Sequence, residues 1–388
     1  MNNSVGQAVH GKDFWKRINE LESIWSAIES GSHILLVAPR RVGKTSIMFN
    51  LQDEPRDNYL VVYVDTESAD NENEFWHKLF NALLEEEFVS KLKKYSKKFA
   101  HTLEKIKIRK IATNSVEFAD GTVVDYATAF ENLMQELDND KKLIVMIDEF
   151  AQTVENIIKY EDEKSAHSFL RTHRALRQNQ ALANRIIFVY AGSIGLESVV
   201  TKMGASKLIN DLNSIKVTPL TFAEGVAFTQ TLCESTSISM SDAVIETFLK
   251  KIEWLIPFYI QLLIQELVGI SREQTSKVVD IGMIDLAIER ALGHRHLFDH
   301  WRSKLKEGFD KQGYLFAKEI LNRISEEETM SLLKIRNHAV KHALDEDDAR
   351  EIIHSLEYDG YITRYEDDKS YRFNSPILKL WWYKNVAN

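Results

Sequence analysis

Four short runs of this 388-residue chain are apolar without alternation: residues 33–38, 60–65, 143–148 and 185–192. A strand with one face in water alternates apolar and polar side chains. A strand buried on both faces does not, and such strands belong to parallel sheets covered by helices. Segments with helical spacing intervene at 44–51, 72–88, 126–137 and 165–178. This order predicts an α/β domain reaching to about Thr218, with residues 216–220 as a fifth strand of the sheet. With only 15 Gly and 5 Pro, the chain does not suit an all-β fold built on tight turns.

The first run leads directly into Ala38-Pro39-Arg40-Arg41-Val42-Gly43-Lys44-Thr45-Ser46, which opens a helix. It fits G-x-x-x-x-G-K-[ST], with Ala38 in place of the first glycine. Four free residues let the chain wrap so that successive backbone N–H groups point inward at phosphate oxygens. The helix that follows adds its positive N-terminus. In that arrangement Lys44 reaches the β/γ-phosphates, Thr45 offers a hydroxyl to Mg²⁺, and Gly43 permits close backbone approach. About 100 residues on, the run Leu-Ile-Val-Met-Ile ends in Asp148-Glu149. An aspartate at the carboxyl end of a buried strand is placed to hold Mg²⁺ through water, and Glu149 to orient and deprotonate an attacking water. Ser193, after the fourth run, is either a polar group for the γ-phosphate or lytic water or a serine in a glycine turn.

Composition changes after the sheet region. Residues 221–301 carry helical periodicity and no convincing strand; Ser241 and Asp242 are capping residues for one helix, and 258–268 reads as another. From about Phe309, three helical segments precede 361–365, an acidic turn at 366–370 and 371–373, the order of a winged helix. No apolar run approaches the 18 or so residues of a membrane span, and no secretory signal opens the chain. Cys233 is the single cysteine, which excludes an intrachain disulfide framework and makes a cytoplasmic setting the expectation.

The net charge of −9 argues against a surface built wholly for nucleic acid, but the charge is uneven. Residues 91–110 hold nine basic residues and one acidic, with Leu92, Tyr95, Phe99, Leu103 and Ile106 at helical spacing. This predicts an amphipathic basic helix whose charged face is either solvated or a site for phosphates or an anionic partner. The candidate recognition helix, 345–358, has six carboxylates against Arg350 alone, which repels DNA and favours a protein contact. His296 and His300 have the one-turn spacing of metal ligands, against packing in a helix that also holds Trp301. Arg171, Arg174 and Arg177 form a stripe that reads as a solvated face or as a source of an arginine finger. Trp381-Trp382-Tyr383 reads as a C-terminal anchor, and Cys233 as a small buried hydrophobe.

These motifs resemble the P-loop ATPases of the AAA/STAND group, specifically the archaeal-type ATPase family found in archaea and bacteria. Its members carry G-P-R-R-x-G-K-T-S where this chain has residues 38–46. Residues 14–21, Phe-Trp-Lys-Arg-Ile-Asn-Glu-Leu, are similar to the family's leading F-x-G-R-x-x-E-L, with Lys16 where glycine is usual. Residues 375–382 are similar to its closing pattern. The resemblance implies that Arg17 lies near the adenine and that the Ser193 strand sits between the P-loop and Asp148 strands. The lid of such ATPases often carries Gly-x-Pro facing the nucleotide, where this chain has Leu255-Ile256-Pro257. The fold expected is an α/β P-loop NTPase with a parallel five-stranded sheet over 1–218, holding a basic helical insertion at about 85–125. An all-α lid over 219–308 and a winged helix over 309–388 follow. The function expected is Mg²⁺-dependent ATP hydrolysis driving a conformational switch, with a protein partner or self-association. A nucleic-acid-associated motor using the basic helix and a non-hydrolysing nucleotide-dependent scaffold are the alternatives.

Overall fold

A computed structural model describes residues 1–85, 88–90, 110–111, 116–117, 123–135, 141–183, 185–192, 195–365 and 369–388. The chain divides into two compact units. One comprises Lys16–Ala38 and Lys44–Val217; the other comprises Met1–Trp15, Pro39–Gly43 and Thr218–Asn388.

The first unit is built on the apolar runs. Its strands are β1 (Ile34–Val37), β2 (Tyr59–Asp65), the two-residue β3 (Lys110–Ile111), β4 (Val116–Glu117) and β5 (Val123–Val124), then β6 (Lys142–Asp148), β7 (Ile186–Ala191) and β8 (Asn213–Lys216). Five of them form one parallel sheet in the order β2-β6-β7-β1-β8, so β7 lies between β6 and β1. Every residue of β7, and every residue of β6 after Lys142, is buried, which is why these strands lack alternation. The β2–β6 register sets Asp65 beside Asp148 at the carboxyl ends of both strands. The fifth strand lies a few residues before its expected place. β8 is an edge strand with three exposed residues of four, so burial imposes no apolar pattern on it. Val217 still donates its N–H to Val37 O at 2.9 Å, and Pro219 has no N–H to extend the ladder. β3, β4 and β5 make a small antiparallel sheet that no sequence pattern announced. The basic segment 91–109 lies outside the described residues, and Lys110 is in β3.

Beside the sheet, the helices Glu72–Leu84, Phe150–Tyr160 and Glu163–Gln178 contribute Phe75, Trp76, Phe150, Phe169 and His173 to one buried aromatic cluster. His173 stacks on Trp76 at 5.8 Å and shares a hydrogen bond with Tyr190 Oη at 3.1 Å. Full burial holds this imidazole neutral, well below its ordinary range. The arginine stripe divides here. Arg171 is exposed, but Arg177 turns inward to pair with Asp211 at 2.7 and 2.8 Å and with Leu208 O at 2.6 Å. Arg177 is therefore a buried structural cation and neither of the roles expected for the stripe.

In the second unit, the regular elements described between residues 222 and 307 are helices: Phe222–Thr236, Asp242–Ile252, Pro257–Gln274, Ile281–Gly293 and Arg295–Glu307. Thr221 and Glu224 form a capping box on the first. Ser241 occupies the cap position of the second, yet its side chain makes no capping hydrogen bond. Helices Lys311–Glu327, Leu332–Lys341 and Glu346–Tyr358 follow, together with β9 (Met330–Ser331), β10 (Ile362–Arg364) and β11 (Ser370–Phe373) in an antiparallel sheet ordered β10-β11-β9. The acidity of the helix Glu346–Tyr358 has a local cause. Asp345 caps it, and Glu346, Asp347 and Asp348 face its positive N-terminal end. Trp381 and Trp382 are buried and Trp382 donates to Asn322 Oδ1 at 2.9 Å, whereas Tyr383 is exposed, so of the three aromatics expected as an anchor the two tryptophans are the buried ones. Burial pushes the Cys233 thiol up to about 11, the behaviour of an inert core thiol. Among the described residues, no helix is long and apolar enough to cross a membrane.

Candidate active site

The end of β6 and the start of the helix Lys44–Asp53 bring together side chains far apart in sequence. Thr45 Oγ1 donates to Asp148 Oδ2 at 2.8 Å across 103 residues. Tyr63 Oη donates to the same oxygen at 3.2 Å, and the Glu149 N–H reaches Asp148 Oδ1 at 3.1 Å. The Asp148 backbone carbonyl accepts from Thr66 N at 3.1 Å and Thr66 Oγ1 at 2.9 Å, and Thr153 Oγ1 reaches Thr66 Oγ1 at 2.8 Å. Both the carboxylate and the backbone of Asp148 are thus held at the strand end. Tyr63 and Thr66 had no sequence signal of their own. They acquire meaning only once the β2–β6 register places them beside Asp148.

Asp148 is only 3% exposed. Burial first, and then the negative charge of Glu149, raise its pKa; hydrogen bonding from Thr45 and the charge of Lys44 partly offset this. A carboxylate paired mainly with hydroxyls and removed from water is a group that gains from a nearby cation. Glu149 follows in left-handed backbone, φ 55° and ψ 32°, at the cap of the helix Phe150–Tyr160. A non-glycine residue there carries local strain, on the order of 1 kcal/mol, at the turn where a catalytic group would sit.

Lys44 is buried, and its Nζ donates to Ala38 O at 2.7 Å, closing the ends of the loop on each other. Gly43 has φ 107°, a conformation L side chains rarely adopt, so this position requires glycine. Ala38 and Ser46 are buried in the sheet unit, and Pro39, Arg40, Arg41, Val42 and Gly43 group with the second unit. Arg17 is buried and ion-paired with Glu20. Ser193 lies outside the described residues. Among the described residues no group of three or more His, Cys, Asp or Glu is arranged to hold a metal. His300 Nδ1 lies 3.0 Å from Arg41 Nη2.

Residues 14–252 match the family model of an ATPase domain predominantly from Archaea. The chain belongs to this ATPase family. It is accordingly a P-loop nucleoside triphosphate hydrolase. Among solved structures, the ATPase is similar in fold to the Walker-type ATPase PABY2304 of Pyrococcus abyssi, with TM-score 0.68, 16% identity, and coverage of 98% of this chain and 99% of that one. It is similar also to the ORC2 protein of Aeropyrum pernix in ADPNP–ADP complexes, with TM-score 0.57, 11% identity, and coverage of 98% and 97%. The ADP form of that protein aligns with TM-score 0.51 and 12% identity over 98% and 95%. No curated protein matches the sequence.

Proposed function

We propose that this ATPase binds ATP with Mg²⁺ at Ala38–Ser46, hydrolyses it with Glu149 as general base, and couples the cycle to a protein partner or to self-association. The observation that carries this reading is the 2.8 Å hydrogen bond from Thr45 to Asp148. It joins the hydroxyl that follows the loop lysine to the carboxylate at the strand end, two hard oxygen donors of the kind Mg²⁺ takes. Thr45 and Asp148 would hold the ion. When bound, it would supply positive charge that neutralises phosphate.

The chain's own groups account for the rest. Backbone N–H groups of the loop and the N-terminus of the helix Lys44–Asp53 receive the phosphates. Lys44 moves from the Ala38 carbonyl to the β/γ-phosphates, exchanging a neutral acceptor for a charged one. Glu149, one residue beyond Asp148, accepts the proton of the attacking water. Ser193 is assigned a hydrogen bond to the γ-phosphate or that water, and Arg17 a place near the adenine. The ORC2 protein similar in fold is described with ADPNP and ADP, which supports nucleotide binding by this chain.

We assign the chain to the AAA/STAND group, with residues 219–308 as a helical lid and 309–388 as a winged helix. The helices that make up the regular elements of 222–307, and the three later helices with a β10-β11 hairpin after them and β9 completing its sheet, support that division. The acidic first turn of the helix Glu346–Tyr358 favours a protein over DNA as the partner of the winged helix. Phosphate release from ATP is expected to require Mg²⁺ and to stop with EDTA. Release at the same rate in EDTA would refute the role of Thr45 and Asp148.

A further inference from the structure

Pro39–Gly43, although flanked in sequence by the sheet unit, group with Thr218–Asn388. Two contacts within that unit hold the loop tip. The Arg41 guanidinium carbon lies 3.9 Å from the centroid of the Phe258 ring, and Arg41 Nη2 is 3.0 Å from His300 Nδ1. Behind Pro39, Gly360 leaves no room for a side chain: a Cβ there would meet Trp254 Cη2 at 2.6 Å and Pro39 Cβ at 3.0 Å. Gly360 also has φ +85°.

Arg41 is costly as placed. Its backbone has φ 63°, where a long side chain is uncommon. Its side chain is largely buried, and among the described residues no carboxylate pairs with it; burial pushes it down to about 10. Nη1 is buried with no hydrogen-bond partner. The same burial, and repulsion from Arg41 and Arg40, push His300 down to about 3. His300 is therefore neutral, and Nδ1 is free to accept from Arg41 with the proton on Nε2. A desolvated cation–π contact and one hydrogen bond offset only part of the cost of burying an unpaired guanidinium. A surface loop tip with no positioning task would leave this arginine in water.

We propose that Arg41 is a positioning residue of the ATPase reaction: clamped by Phe258 and His300, with Pro39 backed by Gly360, it sets the left-handed turn that aims the loop's N–H groups at phosphate. The helices Pro257–Gln274 and Arg295–Glu307, which carry Phe258 and His300, then sense whether the loop is occupied, because phosphate entry and the Arg41 clamp act on the same five residues. This inference rests on the reading of residues 38–46 as the phosphate cradle.

The test is ADP affinity by calorimetry, with thermal melting, for the wild type, Arg41→Ala, Arg41→Lys, Phe258→Leu, Gly360→Ala and Leu321→Ala. Leu321 is buried in the helix Lys311–Glu327 and serves as a control for general destabilisation. Arg41→Ala and Gly360→Ala are expected to weaken ADP at least tenfold, and Arg41→Lys, which keeps a cation for Phe258, by less. Leu321→Ala is expected to lower the melting temperature and leave affinity unchanged. Arg41→Ala and Phe258→Leu together should weaken binding by less than the product of their separate effects. Wild-type affinity in Arg41→Ala and Phe258→Leu, or an equal loss in Leu321→Ala, would overturn the proposal while leaving the cradle reading intact. Failure of the wild type to bind ADP would instead overturn the cradle, and this inference with it.

Discussion

Lys44→Ala is expected to abolish nucleotide binding, weakening both ADP and ATP by about 100-fold or more. Lys44 is the residue proposed to act as a point charge on the β/γ-phosphates, and a charge-assisted hydrogen bond in a partly desolvated site is among the strongest contacts available. In the structure Nζ is held on the Ala38 carbonyl. Alanine removes a buried ammonium together with its hydrogen bond to the Ala38 carbonyl, so the two stability terms oppose each other and the melting temperature should move little. Calorimetric titration with ADP and ATP·Mg²⁺, run beside melting curves, checks both halves. Binding within tenfold of wild type would mean that the phosphates are held elsewhere.

Glu149→Gln separates binding from chemistry. The substitution keeps size and hydrogen-bonding shape and removes the charge that accepts a proton from water, so kcat should fall by about 10²- to 10⁴-fold. The affinity for ATP should stay within about threefold of wild type, because Glu149 lies beyond the residues assigned to phosphate and Mg²⁺. Loss of one negative charge beside Asp148 would, if anything, lower the Asp148 pKa, since Glu149 is one of the causes that raise it. Rapid-quench measurement of ATP hydrolysis, with bound nucleotide quantified after gel filtration, reads both numbers. Undiminished turnover would remove Glu149 from the chemistry and direct attention to other groups around Asp148.

The legibility of this chain follows burial. β6 and β7 were readable because two buried faces force continuous apolar sequence. β8 was misplaced because an exposed edge strand, Asn-Ser-Ile-Lys, has no such constraint. The loop and Asp148-Glu149 stood out because such a motif restricts residue type and spacing locally, and the structure brings Thr45 and Asp148 within 2.8 Å of each other. Interactions that depend on distant partners were not. Arg177 has the same helical spacing as Arg171 and Arg174, and only Asp211 and the Leu208 carbonyl turn it inward. Arg41 looked like one of four interchangeable loop positions, yet its partner His300 is 259 residues away. The same pairing accounts for a histidine whose one-turn spacing from His296 suggested a metal ligand.

The central claim is that Thr45 and Asp148 mark the place where ATP·Mg²⁺ is held for hydrolysis. A crystal structure with Mg²⁺ and a non-hydrolysable ATP analogue tests it most directly. The β-phosphate is expected within the curve of residues 38–46, with a metal ion held by Thr45 and Asp148. The direct Thr45–Asp148 hydrogen bond would be replaced by contacts through that ion and its waters. An analogue bound away from the loop, with the Thr45–Asp148 hydrogen bond unbroken and no metal beside it, would contradict the account.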